Sequence, residues 1–488
     1  MYRKRINKSR TFTCLIFLIG IICLPACKTY RPVSMPATLP LPANYGINHN
    51  GDTTNMAAFS WRVFFKDPLL VALIDSALRN NADLLIAAER IEIARAFFQK
   101  TRAATQPVLN AAGSAGLDKF GEYTMNGVGN YDTNLSPNIS KDQKIPTHPT
   151  PDYFIGVRST WEIDFWGKLK HRKKAAAARL LATESGRRWM VTTLVSELAI
   201  RYYTLLVLDN EQRIIQRNTK YQETALEIVE AQKEGGRATE LAVQQFRAQL
   251  YHTRSFAYQI SQSIIETEAG INFLIGRYQQ PVVRDSSALL QIVQQPVQTG
   301  IPSALLANRP DIREAEQLLQ GAGEDLAAAR AAYLPSFTIS SYAGLNAFAG
   351  SLLLKGASLT YGLLGGITAP LFNRGEIKTG YSIAVAENRQ AVYQYQKLLV
   401  NGLNEVITQV NQVNNYTQFT VLKKQEVNEL SLAVSSANDL YITGYASYLE
   451  VITAQKAVLE AEIELNNSQK EIALGIIGLY KALGGGWQ

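Results

Sequence analysis

Cysteine is scarce in this chain of 488 residues, and all three of its cysteines lie near the N-terminus. They are Cys14, Cys23 and Cys27. A chain processed just before Cys27 would keep a single thiol, so it could form no internal disulfide even on an oxidising export route. The sequence therefore excludes a disulfide framework.

Histidine and methionine are also scarce, and neither indicates a metal site. The four histidines lack the spacing of zinc ligands, and the five methionines do not cluster as a copper pathway would require. The glycine-containing segments lack the spacing of a phosphate-binding loop. We predict no metal site, no bound cofactor and no enzymatic activity. The histidines are His49, His148, His171 and His252, and the methionines are Met1, Met35, Met56, Met125 and Met190.

Positive charge is concentrated at the N-terminus. The formal net charge is +8, but five basic residues and no acidic residue occur within residues 1–26, which leaves +3 for the rest of the chain. So small an excess does not suggest a nucleic-acid partner.

These basic residues precede an apolar run from Cys14 to Leu24, which is the pattern of a secretory signal. The run is too short to span a bilayer comfortably as a permanent helix. It ends in Leu24-Pro25-Ala26-Cys27, which resembles a bacterial lipobox. The resemblance implies that residues 1–26 are removed and that Cys27 carries a diacylglycerol thioether and an N-acyl lipid such as palmitate. The alternative is a chance cysteine after an ordinary signal.

The rest of the chain repeats itself. Residues 80–117 recur at 308–345 with an offset of 228, and later residues recur with an offset of 208. The difference of 20 residues falls where the polar stretch 118–152 of the first copy corresponds to 346–358 of the second. Solvated loops tolerate insertions, so a tandem duplication with one lengthened loop is predicted. The matched pairs include Asp83/Asp311, Arg102/Arg330, Pro107/Pro335, Gly167/Gly375, Gly236/Gly444 and Leu241/Leu449.

Each copy is predicted to contain one very long helix. The intervals Gly167–Gly236 and Gly375–Gly444 each span 69 residues without proline, and a helix of that length would extend roughly 100 Å. Apolar residues recur at steps of four and three in register between the copies, which predicts coiled-coil seams. Shorter helices are predicted at 68–106, 238–276, 303–334 and 446–483. The seams are Val191, Val195, Leu198, Tyr202 and Leu205, and Leu399, Leu403, Val406, Val410 and Val413.

Period-two alternation predicts two strands in each copy, between the short and the long helix. They are Val108–Leu117 and Tyr153–Phe165 in the first copy, and Phe337–Leu345 and Leu359–Leu371 in the second. Segments of about 10 residues suit tilted transmembrane strands. Four strands cannot close a barrel, and an open sheet edge cannot lie in hydrocarbon, so several chains must share one barrel. Counting strands does not decide between two, three or four chains.

Four motifs resemble those of the TolC-like outer-membrane efflux factors, particularly the lipid-anchored branch that includes OprM and CusC. The resemblance implies an α+β membrane protein whose trimer forms a 12-stranded β-barrel and a periplasmic α-helical barrel. Each tandem-repeat protomer would give four transmembrane strands and long coiled-coil helices. The motifs are Trp61-Arg62-x-Phe64-Phe65-x-Asp67-Pro68-x-Leu70, Asn308-Arg309-Pro310-Asp311-Ile312-Arg313, Ala329-Arg330-Ala331-Ala332-Tyr333-Leu334-Pro335 and Leu479-Tyr480-Lys481-Ala482-Leu483-Gly484-Gly485-Gly486-Trp487.

The expected division of the chain follows from the repeat and the resemblance. It comprises the signal peptide (1–26), a lipid-anchored arm with part of an equatorial collar (27–65), a first repeat (66–290), a connector (291–302) and a second repeat with an equatorial C-terminal end (303–488).

The resemblance implies a passive, gated conduit in the outer membrane with a large periplasmic part. As one component of a tripartite efflux system, it would dock to a periplasmic adaptor and an RND-type inner-membrane transporter and export drugs or other toxic small molecules. Two alternatives stay open: the outlet of a type I protein-secretion system, and a non-channel coiled-coil lipoprotein with a structural role. The exported molecule cannot be read from these residues.

The resemblance also places a gate at the two glycine turns of the long helices. Matching residue by residue assigns Tyr441 as a latch between neighbouring helices and Glu450 as an acidic residue of the aperture. A second acidic residue is expected three positions later, but Thr453 stands there. Three Glu450 carboxylates around an axis would attract cations and repel one another, whereas the alternative is an ordinary solvated charge.

At the other turn, Arg237 and Glu240 are predicted as possible contacts of the tip or of the adaptor. They could instead form a surface ion pair, and such pairs contribute little.

Overall fold

The computed structural model describes Pro40, Pro42, Tyr45 and residues 55–294 and 297–488. The predicted signal peptide and Cys27 lie outside the described residues. The helices are α1 (Trp61–Phe64), α2 (Pro68–Asn80), α3 (Ala82–Ala103), α4 (Met125–Leu135), α5 (Lys168–Glu234), α6 (Glu240–Ile275), α7 (Ala288–Val293), α8 (Ala304–Asn308), α9 (Pro310–Ala331), α10 (Gly350–Leu353), α11 (Glu376–Thr443) and α12 (Tyr448–Ala482). The strands are β1 (Val108–Asp118), β2 (Thr150–Ile163), β3 (Ser336–Ala347) and β4 (Leu359–Thr368).

The two repeats present the same order of main elements. α3, β1, β2, α5 and α6 of the first correspond to α9, β3, β4, α11 and α12 of the second. The long helices α5 and α11 contain 67 and 68 residues and fill the two predicted intervals. Gly167 and Gly375 precede them with φ of +79° and +82°, and Gly236 and Gly444 follow them with φ of +71° and +83°. Glycine adopts this left-handed backbone without strain, so the repeated glycines are the helix boundaries.

The described residues form two compact units, and each unit draws on both repeats. The first contains residues 94–179 and 319–391, including all four strands. The second contains described residues within 37–93, 180–318 and 392–488. The unit of packing therefore differs from the unit of sequence repetition.

The four strands of the first unit form an antiparallel meander in the order β1-β2-β3-β4. In the register, Ile155 lies opposite Leu345 and Val157 opposite Ala343, which in turn lies opposite Tyr361. Most of these side chains are exposed in the single chain, so one face of the sheet is an apolar surface. The outer edges of β1 and β4 have no partner strand among the described residues.

Some boundaries differ from the sequence prediction. The predicted strands ran on to Phe165 and Leu371, but β2 and β4 end at Ile163 and Thr368. The lengthened loop contains the unpredicted helix α4, which buries no residue. The predicted helix 68–106 is broken at Asn81, because the Asn81 side chain accepts a hydrogen bond from the Leu84 amide (3.1 Å) and donates one to the Leu274 carbonyl (2.9 Å).

The predicted seams form the core of the second unit. Leu198, Tyr202 and Leu205 on α5, and Val406 and Val410 on α11, are at most 1% exposed and belong to one buried cluster. α5 also has a stretch apolar enough to cross a membrane by length and composition, but 61% of that stretch is buried. Its apolar composition therefore reflects packing within this core.

The described residues of the N-terminal arm, the connector and the C-terminal helix pack on the same core. Tyr480 stacks on Phe64 with ring centroids 3.9 Å apart, and its hydroxyl donates to the Phe59 carbonyl at 2.8 Å. The Met56 amide donates to the Gln298 carbonyl at 3.1 Å, which joins the arm to the connector. The N-terminal and C-terminal sequence motifs therefore contact each other.

Arg309 is the largest fully buried side chain in the described residues. Its guanidinium forms a two-pronged ion pair with Asp311 (3.0 and 2.6 Å), a 2.5 Å ion pair with Glu405 and a 3.0 Å hydrogen bond to the Ala482 carbonyl. It also lies over the Trp189 ring at 5.0 Å. Burial by itself would lower the pKa of Arg309, but the two carboxylates more than offset that effect and raise it.

We expect Arg309→Ala to lower the free energy of unfolding by about 3–5 kcal/mol, because it leaves the Asp311 carboxylate buried without its counter-ion. Thermal unfolding followed by tryptophan fluorescence should show a melting temperature at least about 5 °C lower. Arg62→Ala is the matched control, because Arg62 pairs with Asp75 at the surface and its loss should cost no more than about 1 kcal/mol. Equal effects of the two substitutions would contradict the structural role of Arg309.

Candidate functional site

Two turns of similar construction join the long helices to the helices that follow. At the first, the Arg237 amide donates to the Gln232 carbonyl at 2.8 Å, and at the second the Tyr445 amide donates to the Leu440 carbonyl at 2.8 Å. These hydrogen bonds satisfy carbonyl groups that the helix ends leave free. The positive φ of Gly236 and Gly444 allows the chain to reverse within a few residues.

The second turn places Glu450 in a capping box. Ser447 is the N-cap of α12, and its side chain accepts from the Leu449 amide at 3.3 Å. The Glu450 carboxylate reaches back to accept from the Ser447 amide at 2.9 Å and from the Ser447 hydroxyl. The reciprocal arrangement satisfies backbone donors at the start of a helix. Glu450 is thus held at the turn by its own helix.

These contacts also hold Glu450 in its charged form. The hydrogen bond from the Ser447 hydroxyl is the largest cause of a lowered Glu450 pKa, and backbone hydrogen bonds add to it. The position corresponding to Glu450 in the first repeat is Ala242, so α6 has no capping box. Of the two turns, only the second has an acidic residue at this position.

Tyr441 lies on the last turn of α11 against a small apolar cluster. Val229 of α5, Val243 and Phe246 of α6, and Val451 of α12 form the buried centre of this cluster. The Tyr441 ring is partly buried beside them, and burial raises the pKa of its hydroxyl. Tyr441 therefore packs the end of α11 against α5, α6 and α12.

Arg237 and Glu240 share the first turn, but the ion pair that Glu240 forms is with Lys233. That pair joins the last turn of α5 to the first turn of α6, and Lys233 is the largest cause of a lowered Glu240 pKa. The Arg237 side chain has no ion-pair partner in the described part of the chain. Both residues remain candidates for a contact with another protein.

The sequence prediction missed two features of this site. The first is Ser447, although Ser447-x-x-Glu450 has the spacing of a capping box and was readable as such. The second is a pair of buried glutamines, Gln222 and Gln455, which face a cavity beside Tyr441. No spacing rule relates two residues on different helices, so this pair could not be found from the sequence.

Comparison with known proteins decides the family. The family described as "Outer membrane efflux protein" matches residues 73–277 and 301–485, which is most of the chain. The chain belongs to the outer membrane efflux protein family.

Similar outer membrane efflux proteins cover almost the same length. The probable outer membrane lipoprotein SilC of Salmonella typhimurium is 28% identical over 97% of this chain and 98% of its own. The cation efflux system protein CusC of Escherichia coli O6:H1 is 29% identical over 96% and 97%. The solvent efflux pump outer membrane protein SrpC of Pseudomonas putida is 28% identical over 98% of both chains.

Solved outer membrane efflux channels share the fold. The outer-membrane channel OprN matches with a TM-score of 0.80 at 23% identity, over 93% of this chain and 99% of its own. A crystal structure of CusC matches with a TM-score of 0.78 at 27% identity, over 94% and 100%. The predicted fold class is confirmed: the chain is a tandem-repeat α+β protomer of the trimeric channel type. Its role as the outer-membrane channel of an efflux system is also confirmed, and the family is one of efflux channels rather than of enzymes.

We expect loss of the cap to loosen the second turn. Ser447→Ala should cost roughly 1 kcal/mol locally and make the amides at the start of α12 exchange with deuterium about fivefold faster. Glu450→Ala should have the same direction of effect, whereas Glu450→Gln should exchange more slowly than Glu450→Ala because glutamine also completes a capping box, but faster than the wild type at neutral pH because it lacks the charge. Exchange in Glu450→Gln as fast as in Glu450→Ala would show that the charge, and not the cap, holds the turn.

The protection of the amides at the start of α12 from exchange should also depend on pH. Because the folded-state pKa of Glu450 lies below the ordinary glutamate value, its stabilising effect is present above that value and is lost as pH falls through the lowered pKa. Relative to the intrinsic exchange rate at each pH, the protection of these amides in the wild type should therefore fall on acidification, while protection in Glu450→Gln should show no such additional step. Parallel pH profiles of amide protection in the wild type and in Glu450→Gln would contradict the assignment of this pH dependence to Glu450.

Proposed function

We propose that three copies of this chain form a passive, gated conduit that carries toxic small molecules from the periplasm across the outer membrane. The observation that carries the proposal is the meander, which has two unpaired edges and an apolar face. In hydrocarbon the backbone groups of β1 and β4 must be paired, and edge-to-edge joining of copies pairs them. Three copies supply the 12 strands of a barrel wide enough for a lumen.

The proposal includes a lipid anchor on Cys27. The lipobox-like sequence before Cys27 supports it, and so does the name of SilC as a probable lipoprotein. Because the described end of the arm packs against the core of the second unit, the anchor would tether that unit to the membrane surface. The lipid would be a diacylglycerol group with an additional N-acyl chain.

A conduit without an energy source needs partners that supply one. We place an RND-type inner-membrane transporter in that role and a periplasmic adaptor as the link to it, supported by relatives that are named for an efflux system and an efflux pump. In this proposal, the exposed turn residues Arg237 and Glu240 are the charged groups that contact the adaptor. The relatives' names include both cations and solvents, so the exported class is toxic small molecules in general.

The gate of the proposed conduit is the pair Tyr441 and Glu450. Tyr441 is supported by its position against α5, α6 and α12, since withdrawing it would separate α11 from that cluster. Glu450 is supported by its fixed, exposed and charged position at the turn. With Thr453 in place of a second acidic residue, the aperture would hold one acidic ring.

We expect Glu450→Gln to reduce the preference for cations over anions in planar-bilayer recordings by about twofold, because it removes three charges from a narrow aperture. Ser447→Ala retains the carboxylate and should therefore reduce this preference less than Glu450→Gln does. Glu460→Gln is a further control, since Glu460 is an exposed residue on the same helix beyond the turn. Unchanged selectivity in Glu450→Gln would exclude the aperture role.

Deletion of the gene in its host should increase sensitivity to several unrelated toxic compounds, and wild-type complementation should restore resistance. Complementation with Cys27→Ser should restore it only partly, because the protein would lose its lipid anchor. Loss of a secreted protein with unchanged compound sensitivity would instead support a type I secretion outlet. A trimer without conductance would support a structural lipoprotein.

A further inference from the structure

A cavity of about 880 Å³ lies beside the turns, within the second unit. α5, α11 and α12 form most of its wall, and Phe246 of α6 closes one side. Val229, Tyr441 and Val451 give that side an apolar, aromatic character. Cavities of this size and character commonly hold small organic molecules.

Two amide side chains in the wall have unused hydrogen-bonding capacity. Gln222 is 2% exposed, and neither its oxygen nor its nitrogen has a hydrogen-bond partner in the described structure. Gln455 is 6% exposed, and its side-chain oxygen also lacks a partner. Buried polar groups are normally paired, so two such amides on one cavity indicate an occupant that pairs with them.

The charges in the wall indicate the sign of that occupant. Glu462 is the one acidic residue in the wall, and it already accepts from Arg217 at 2.5 Å and from Asn218 at 2.9 Å. The exposed Lys220 is a second cation in the wall and forms no ion pair within the described residues. The wall therefore has an excess of positive charge at one end and apolar side chains at the other.

We propose that this cavity binds an aromatic organic anion. Lys220 pairs with its acidic group, Gln222 and Gln455 hydrogen-bond its polar atoms, and its apolar body lies against Phe246 and Val451. This site is distinct from the acidic aperture, because Glu450 is not among the residues of its wall.

The occupant also contacts Tyr441. If Tyr441 is the latch of the proposed conduit, an anion in the cavity holds α11 against α5 and α12 and disfavours opening. This regulatory consequence rests on the proposed function, whereas binding does not. The two are therefore tested separately.

The probe for binding is benzophenone-4-carboxylate, a photoreactive aromatic anion, applied to the full-length trimer in nanodiscs. Peptide mapping by mass spectrometry should find adducts within 217–229, 434–442 and 451–458, and unlabelled naphthalene-2-carboxylate should suppress them saturably. Labelling confined to other segments, or unsaturable labelling throughout the chain, would overturn the proposal. So would absence of labelling, which would indicate that water alone fills the cavity.

Two sets of variants test the assigned roles. Gln222→Met and Gln455→Met preserve side-chain volume and should each reduce labelling about fivefold, the effect of one lost hydrogen bond. Gln216→Met is the matched control, because Gln216 is exposed on α5 outside the cavity. Lys220→Met should abolish the preference for the carboxylate over 4-(aminomethyl)benzophenone. Because the saturation experiment uses the wild type, a variant that fails to fold does not remove the test.

Single-channel recording tests the regulatory consequence separately from binding. Naphthalene-2-carboxylate should lower the open probability of the wild type and have about fivefold less effect on Gln222→Met. Saturable labelling with unchanged channel activity would retain the site and exclude Tyr441 as the coupled latch. Absence of any channel activity would count against the proposed function but leave the labelling result intact.

Discussion

The requirement that every backbone N–H and C=O group find a partner determines the organisation of this chain. The four strands satisfy that requirement among themselves except along β1 and β4, whose outer edges are free in the single chain. Water can form hydrogen bonds with the backbone groups of such edges, but hydrocarbon cannot. Association is thus a condition of the fold in a membrane, and the helices away from the sheet meet the same requirement internally through their own hydrogen bonds and caps.

Ionic and aromatic contacts then hold distant parts of the chain in place around the second unit. Arg309 joins the start of α9, the middle of α11 and the end of α12, while Tyr480 joins the C-terminal helix to the arm. The family motifs that contain these residues are thus packing motifs. Tyr202 adds a further link, since its hydroxyl donates to the buried Asp67 carboxylate at 2.5 Å. None of these contacts lies at the turns where the gate is proposed, so the residues that hold this core together are not those assigned to the gate.

The sequence predicted the parts of the structure that depend on local periodicity. Alternation located all four strands, and the apolar steps located seam residues such as Leu198 and Val406 that are fully buried. Features that depend on one side chain meeting a distant one were not predictable. Phe154 is an example: it lies on the polar face of β2, where it packs with Arg158 and Tyr342. The burial of Arg309 is another, because its partners Glu405 and Ala482 are far away in sequence.

The pairing of β2 with β3 has a consequence for the history of the molecule. β2 belongs to the first repeat and β3 to the second, and the eleven paired positions between them lie within one chain only because the repeats are covalently joined. In a half-length ancestor the same contact would have formed between separate molecules, and six of them would have been needed for an equivalent barrel. Gene fusion would have placed alternate strand–strand contacts of that barrel within one chain. Those contacts would then form independently of protein concentration. The two turns would also have been free to diverge in sequence.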